Sequence, residues 1–195
     1  DATENNGVVY LFGKVKIGEG QYVSCVTSVY GCERNLFVLP RAKEGEYNAD
    51  GTPVRADMSS VYQEISNLLV PRVIPRTDGA EFKAKKVSRD YTFDDTQVPR
   101  QVSEYIKVKY LSKYPAPPAD ACNGGKYYER IFGASNSGLD LFLLKRRLMG
   151  PCWITIRNPH APTNKLSWAK LEVAVQDPKH IVPADEKSGK MAVPP

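Results

Sequence analysis

Residues 132–158, FGASNSGLDLFLLKRRLMGPCWITIRN, constrain this chain more than any other stretch. Ser135, Asn136 and Ser137 are all N-cap residues, and Ser137 with Asp140 approximates a capping box. Leu139, Leu141, Phe142, Leu143, Leu144 and Leu148 follow, apolar around most of a helical circumference, which predicts a deeply packed helix. Lys145, Arg146 and Arg147 fall near its end, where positive charge complements the helix dipole. Gly150 is placed to take a left-handed cap, and Pro151 to stop the helix. Residues 152–156 (CWITI) then read as a short strand apolar on both faces, hence central. A helix feeding directly into a buried strand is the expected packing nucleus. It carries no chemistry by itself.

With 195 residues and 42% hydrophobic content, the chain can build one large domain or two small ones around a sizeable core. The formal net charge of +5 permits a polyanionic partner without requiring one. No run approaches the roughly 18 apolar residues of a membrane span, so no membrane association is expected. No signal peptide or Asn-x-Ser/Thr acceptor is visible. Asp1 at the start and Pro194-Pro195 at the end read as the limits of an excised piece. Cys25, Cys32, Cys122 and Cys152 form no Cys-x-x-Cys, and reduced, buried thiols of an intracellular protein are expected. His160, beyond Cys152, is a weak zinc lure.

In chain order, residues 8–17 and 22–30 predict an antiparallel hairpin around a glycine turn, and 35–40 a third strand. Residues 41–57, with glycines, Asn48 and Pro53 among charges, read as a long surface loop. Residues 60–70 put Val61, Tyr62, Ile65, Leu68 and Leu69 on one helical face, with Ser60 and Gln63 as a capping pair and Pro71 as terminator. Strands are expected at 82–93, 104–111 and 166–175, with a loop at 115–123 and a polar exit from 176. From Leu36 onward the order strand, helix, strand, strand, helix, strand is the split βαβ pattern. The expected fold is therefore α+β. A ferredoxin-like part over 35–158 carries two helices. A small antiparallel sheet, with an OB-like arrangement as one option, comes from the first hairpin and last strand over 8–34 and 160–182.

Catalytic signatures are missing. There is no phosphate-binding loop, and Gly124-Gly125-Lys126 is only a glycine turn before a lysine. His160 and His180 read as loop histidines, and the neighbours Asp94 and Asp95 point to opposite strand faces, so they do not share a metal. The basic residues are more informative. Lys83 with Lys85, and Lys107 with Lys109, alternate in strands, so each pair shares a face. If the two strands are neighbours, a cationic sheet surface results that can track phosphates; otherwise these are solvated strand lysines. Tyr105, Lys107 and Lys109 are expected on the wet face. Tyr91, Tyr105 and Tyr110 either stack bases or pack the sheet. Lys145, Arg146 and Arg147 either face nucleic acid or complement the helix end.

Several blocks carry a resemblance. Residues 10–15 (YLFGKV), 32–41 (CERNLFVLPR), 103–110 (SEYIKVKY), 139–143 (LDLFL), 150–153 (GPCW) and 167–168 (SW) resemble, in order and spacing, the N-terminal domain of the catalytic subunit in the DNA polymerase α family, the eukaryotic branch of family B replicative polymerases. The likeness runs from about residue 8 to the end. It implies a nuclear parent enzyme that works with primase and an accessory subunit, and extends RNA–DNA primers on a DNA template using magnesium. It implies a non-catalytic domain here, one that braces the polymerase core and contacts template, with no cofactor of its own. Residues 192–195 (AVPP) would then lie at the junction with the next domain. The polymerase's metal-binding aspartates and zinc-binding cysteines have no counterparts in this chain, so no catalytic residue carries over. On the resemblance, Lys83, Lys85, Lys107, Lys109, Lys145, Arg146 and Arg147 are the nucleic-acid-binding candidates. A free-standing single-strand-binding module and a protein-interaction scaffold are the alternatives.

Overall fold

The computed structural model describes residues 6–75, 82–90, 98 and 102–184. Its elements in chain order are β1 (Val9–Gly18), β2 (Gln21–Val29), β3 (Glu33–Pro40), β4 (Ala42–Tyr47), β5 (Pro53–Arg55), α1 (Met58–Arg72), β6 (Lys83–Arg89) and β7 (Ser103–Leu111). Then follow α2 (Ala119–Cys122), β8 (Tyr128–Phe132), α3 (Gly138–Arg146), β9 (Ile154–Ile156), β10 (Leu171–Val175) and β11 (Ile181–Pro183). The chain divides into two compact units, Asp1–Glu33 with Leu111–Lys113 and Ser137–Pro195, and Arg34–Tyr110 with Tyr114–Asn136. No helix among the described residues is long and apolar enough to cross a membrane.

The second unit is built on a four-stranded sheet in the order β6-β7-β3-β8. β7 lies between β3 and β6, which is what splits the βαβ unit, so the α+β ferredoxin-like order is present. Alternation along the strands sends Leu36 and Val38, Ile106, Val108 and Tyr110, and Ile131 to one face. There they pack with Val61, Ile65 and Leu69 of α1. Each such fully buried aliphatic side chain stabilises the fold by about 1.5–3 kcal/mol relative to exposure. α1 starts two residues before the expected position because Asp57, not Ser60, is its N-cap. The Asp57 carboxylate accepts the N–H groups of Ser59 and Ser60 at 3.0 and 3.1 Å. The helix passes position 71 and ends at Arg72, where the Val73 N–H closes on the Leu69 carbonyl.

Three expectations for this unit need correction. The supposed loop at 41–57 contains the β4–β5 hairpin. Its tip is held by Asn48 donating to the Thr52 hydroxyl and by Thr52 donating to Asp50. The second helix of the split βαβ order is the four-residue α2, and the fourth strand is β8, paired antiparallel to β3. Sequence reading placed both roles in 137–158, which belongs to the other unit. Strand residues 91–93 of the expected 82–93 run lie outside the described residues, as do Tyr91, Asp94, Asp95 and residues 192–195.

In the first unit, β1 and β2 form the expected antiparallel hairpin, from Val9↔Val29 to Gly18↔Gln21. β10 joins the other edge of β2 in parallel, Leu171↔Cys25 to Val175↔Val29, so the small sheet is mixed and open rather than a barrel. Val9, Val29, Cys32, Phe142, Leu148, Val175 and Ile181 make its core. The stretch expected to be the nucleus is less buried than its composition implied. Only Phe142 of α3 is buried, whereas Leu139 and Leu144 are 48% and 65% exposed. A nine-residue helix offers one packed face, and the leucines beyond it remain at the surface. The Ser137 Oγ caps α3 by accepting the Asp140 N–H at 3.1 Å, as read. Its C-cap is Arg147, with φ of 58°, rather than Gly150. β9 is a half-buried strand that, among the described residues, pairs with β11 at the edge of a two-stranded sheet, and is not a central one.

Candidate nucleic-acid interface

The two lysine pairs come together. β6 and β7 are antiparallel neighbours, with Lys83 directly opposite Lys109 and Lys85 directly opposite Lys107. Lys83 and Lys85 are exposed; Lys107 and Lys109 are half-buried. Side chains directly opposite on one face have Cβ atoms about 4.5–5.5 Å apart, and like charges there are destabilising. Two such pairs in succession place four lysines on one patch of the sheet. Lys86, one residue out of phase, points to the other face and bonds Glu104 at 2.5 Å, so it does not add to the patch.

β3 supplies an aromatic to this surface. Phe37 alternates with Leu36 and Val38, whose side chains enter the α1 core, and so turns to the lysine face. The Lys107 ammonium and the Arg89 guanidinium lie 5.4 and 5.8 Å from its ring centroid, within cation–π range. The ring is half-buried, packed in part against the cluster of Leu39, Val98, Tyr105 and Phe132. Sequence reading missed Phe37, although its alternation phase with Leu36 and Val38 was a usable signal.

Tyr105 and Tyr110 are not stacking platforms. Tyr105 is fully buried against Leu39, Val98 and Phe132, its ring edge-on to Phe132 at 6.4 Å. The expected wet face is therefore wet only from Lys107 outward. Tyr110 is in the α1 core and donates its hydroxyl to the Pro115 carbonyl at 2.9 Å. Burial pushes its pKa up to about 12 against the opposing charge of Arg34, and burial raises Tyr128 similarly, to about 12. Tyr91 lies outside the described residues.

Lys145, Arg146 and Arg147 do not form a single cationic face. They are consecutive at a helix end, about 100° apart in direction. Lys145 faces Glu33 at 3.9 Å, Arg146 is half-buried, and Arg147 has left the helix as its cap. The helix-end reading fits them better than a phosphate clamp.

The Gly124-Gly125-Lys126 turn is internally occupied. The Glu64 carboxylate accepts the N–H groups of Lys126 and Tyr127 at 2.6 and 2.7 Å, so the donors an anion would use are already taken. A Cβ on Gly125 would run into that carboxylate and the Tyr128 ring, which accounts for the glycine. All four cysteines are free thiols. Burial raises the pKa of Cys32, Cys122 and Cys152, which disfavours nucleophilic thiolate. Among the described residues no group of three or more His, Cys, Asp or Glu side chains could hold a metal ion. The magnesium implied for a parent polymerase finds no fitting donor set there, and no chemical step is assigned to this chain through it.

No family model matches the chain. Comparison with curated proteins finds consistent relatives across eukaryotes. The chain is 38% identical over 185 residues to the DNA polymerase alpha catalytic subunit of Xenopus laevis, covering 93% of this chain and 12% of that protein. It is 35% identical over 198 residues to the subunit of Sterkiella nova, covering 98% and 13%, and 34% identical over 180 residues to that of Mus musculus, covering 91% and 12%. The chain thus spans only 12–13% of the length of these relatives, while nearly all of it is matched in each. Relatives this consistent, aligned over almost every residue here, place the chain in the DNA polymerase alpha catalytic subunit family, as one domain of such a protein.

Proposed function

We propose that this domain is a non-catalytic, N-terminal part of a nuclear replicative polymerase. In this reading it braces the polymerase core and holds single-stranded template on the sheet face of Lys83, Lys85, Lys107, Lys109 and Phe37. The parent would extend RNA–DNA primers supplied by primase, together with an accessory subunit and magnesium bound elsewhere. The observation that carries the template role is the pair of directly opposed lysine couples beside a cation-flanked Phe37. Clustered lysines of this kind suit the phosphates of a strand, and an aromatic among them suits its bases. The test is fluorescence anisotropy of a labelled primer–template with a single-stranded overhang, at about 50 and about 200 mM salt. Binding that weakens steeply with salt supports template contact. No binding at the lower salt leaves the domain as a brace only.

A protein-interaction role has one observation behind it. The first unit has an open cleft of about 650 Å³ lined by Leu11, Val15, Ile154 and the stacked rings of Tyr22 and Trp153, whose centroids are 6.1 Å apart. An apolar cleft of this size suits a peptide or an adjoining domain.

A further inference from the structure

The loop before β10 displays a tryptophan. Trp168 is fully exposed, the most exposed large apolar side chain among the described residues. The loop around it is nonetheless tightly held. The Glu172 carboxylate accepts the Leu166 N–H at 2.8 Å, the Ser167 N–H at 2.6 Å and the Ser167 hydroxyl at 2.5 Å. The Ser167 Oγ in turn accepts the Ala169 N–H at 3.1 Å, and the Ser24 Oγ of β2 accepts the Lys170 N–H at 3.0 Å. These bonds fix the backbone on both sides of an indole that gains no burial from the arrangement. Binding to a preorganised ring costs less ordering entropy.

Charge selects the partner. Between Asp140 and Glu172 the sequence has no acidic residue, and the two basic residues nearest the ring are Lys165 and Lys170. Glu172, the acid nearest the ring in sequence, is committed to the loop. The Ser167 hydroxyl and then the Leu166 N–H hold its carboxyl below the usual carboxylate range. Lys165 and Lys170, both exposed, lie three residues before Trp168 and two after. A displayed ring between two exposed cations, in a stretch without acids, matches a ligand that alternates π-faces with negative charges. We infer that Trp168 stacks on a base of single-stranded nucleic acid while Lys165 and Lys170 neutralise adjacent phosphates. This contact belongs to the first unit and the sheet face proposed above to the second, so each can stand or fall without the other.

The chain has two tryptophans, so Trp153→Phe leaves Trp168 as the sole indole reporter. Titration of that variant with an oligothymidylate of about 20 nucleotides should quench its emission. In the otherwise unaltered chain, Trp168→Ala should weaken binding of the labelled oligonucleotide roughly 5- to 140-fold by anisotropy. That arm needs no tryptophan signal and survives if Trp153→Phe fails to fold. Lys165→Ala with Lys170→Ala should flatten the slope of log affinity on log salt by about 1.4. Repeating the Trp168→Ala comparison on a Lys83→Ala/Lys85→Ala background separates the two sites, since the same weakening should persist there. Unchanged affinity in Trp168→Ala, or binding without quenching, would overturn the inference. Equal quenching by polyglutamate would also overturn it, in favour of an acidic protein partner.

Discussion

Replacing Lys83 and Lys85 together by alanine removes one member of each opposed lysine couple, Lys83↔Lys109 and Lys85↔Lys107. If the four lysines each meet a phosphate of a single strand, log affinity should fall with log salt at a slope of about −2.8, and at about −1.4 in the double variant. Between about 50 and about 200 mM salt that means roughly a 50-fold loss of affinity for the original chain and roughly 7-fold for the variant. Stability should move the other way. Each relieved like-charge couple is worth about 0.2–1 kcal/mol, so the variant should unfold at the same or slightly higher denaturant concentration. The assays are anisotropy across a salt series and urea denaturation followed by circular dichroism. Opposite signs in the two readouts are the signature of charge held for a partner. An unchanged salt slope, or a variant clearly less stable than the original, would refute the argument and make these lysines ordinary solvated strand residues.

Ile65→Ala should destabilise the second unit by about 2–5 kcal/mol in urea denaturation, because Ile65 is fully buried between α1 and the sheet. Asp57→Ala should cost about 0.5–2 kcal/mol by the same measurement, whereas Ser60→Ala should be near neutral, since Ser60 contributes its N–H rather than its hydroxyl to the cap. Tyr110 and Tyr128, raised to about 12 by burial, are held neutral in the fold. Their stabilising effect is complete below the ordinary tyrosine value near 10 and is lost as pH climbs toward about 12. Tyrosinate absorbance from these two should therefore appear together with loss of far-ultraviolet ellipticity, and titration near pH 10 in an intact fold would contradict this. Glu172 has a lowered pKa, so its hold on the loop is present above the usual glutamate range and fades as pH falls below it. Glu172→Gln at neutral pH should lower the fluorescence polarisation of Trp168 in the Trp153→Phe background.

Periodicity carried the elements whose burial depends on local pattern. The hairpin of β1 and β2, the apolar face of α1, the cap at Ser137 and the alternating lysines of β6 and β7 all follow from side-chain direction within a few residues. The ordered blocks from 10–15 to 167–168 likewise point to the polymerase α family. Long-range pairing was not legible in the same way. β8 reads YERIF, too short and too polar to announce itself, and it becomes a strand because β3 offers an edge to it. Residues 137–158 look like a core because they are rich in leucine, but composition does not say how much of a helix's surface finds a partner, and Leu139 and Leu144 find little. Tyr105 and Lys107 share a strand face in the sequence, yet Leu39, Val98 and Phe132 arrive from elsewhere in the chain to cover one and leave the other partly open. The opposition of Lys85 to Lys107, the cations around Phe37 and the exposure of Trp168 are likewise tertiary outcomes. They depend on register and on what the rest of the fold leaves uncovered, quantities set by packing over the whole chain rather than by any one segment.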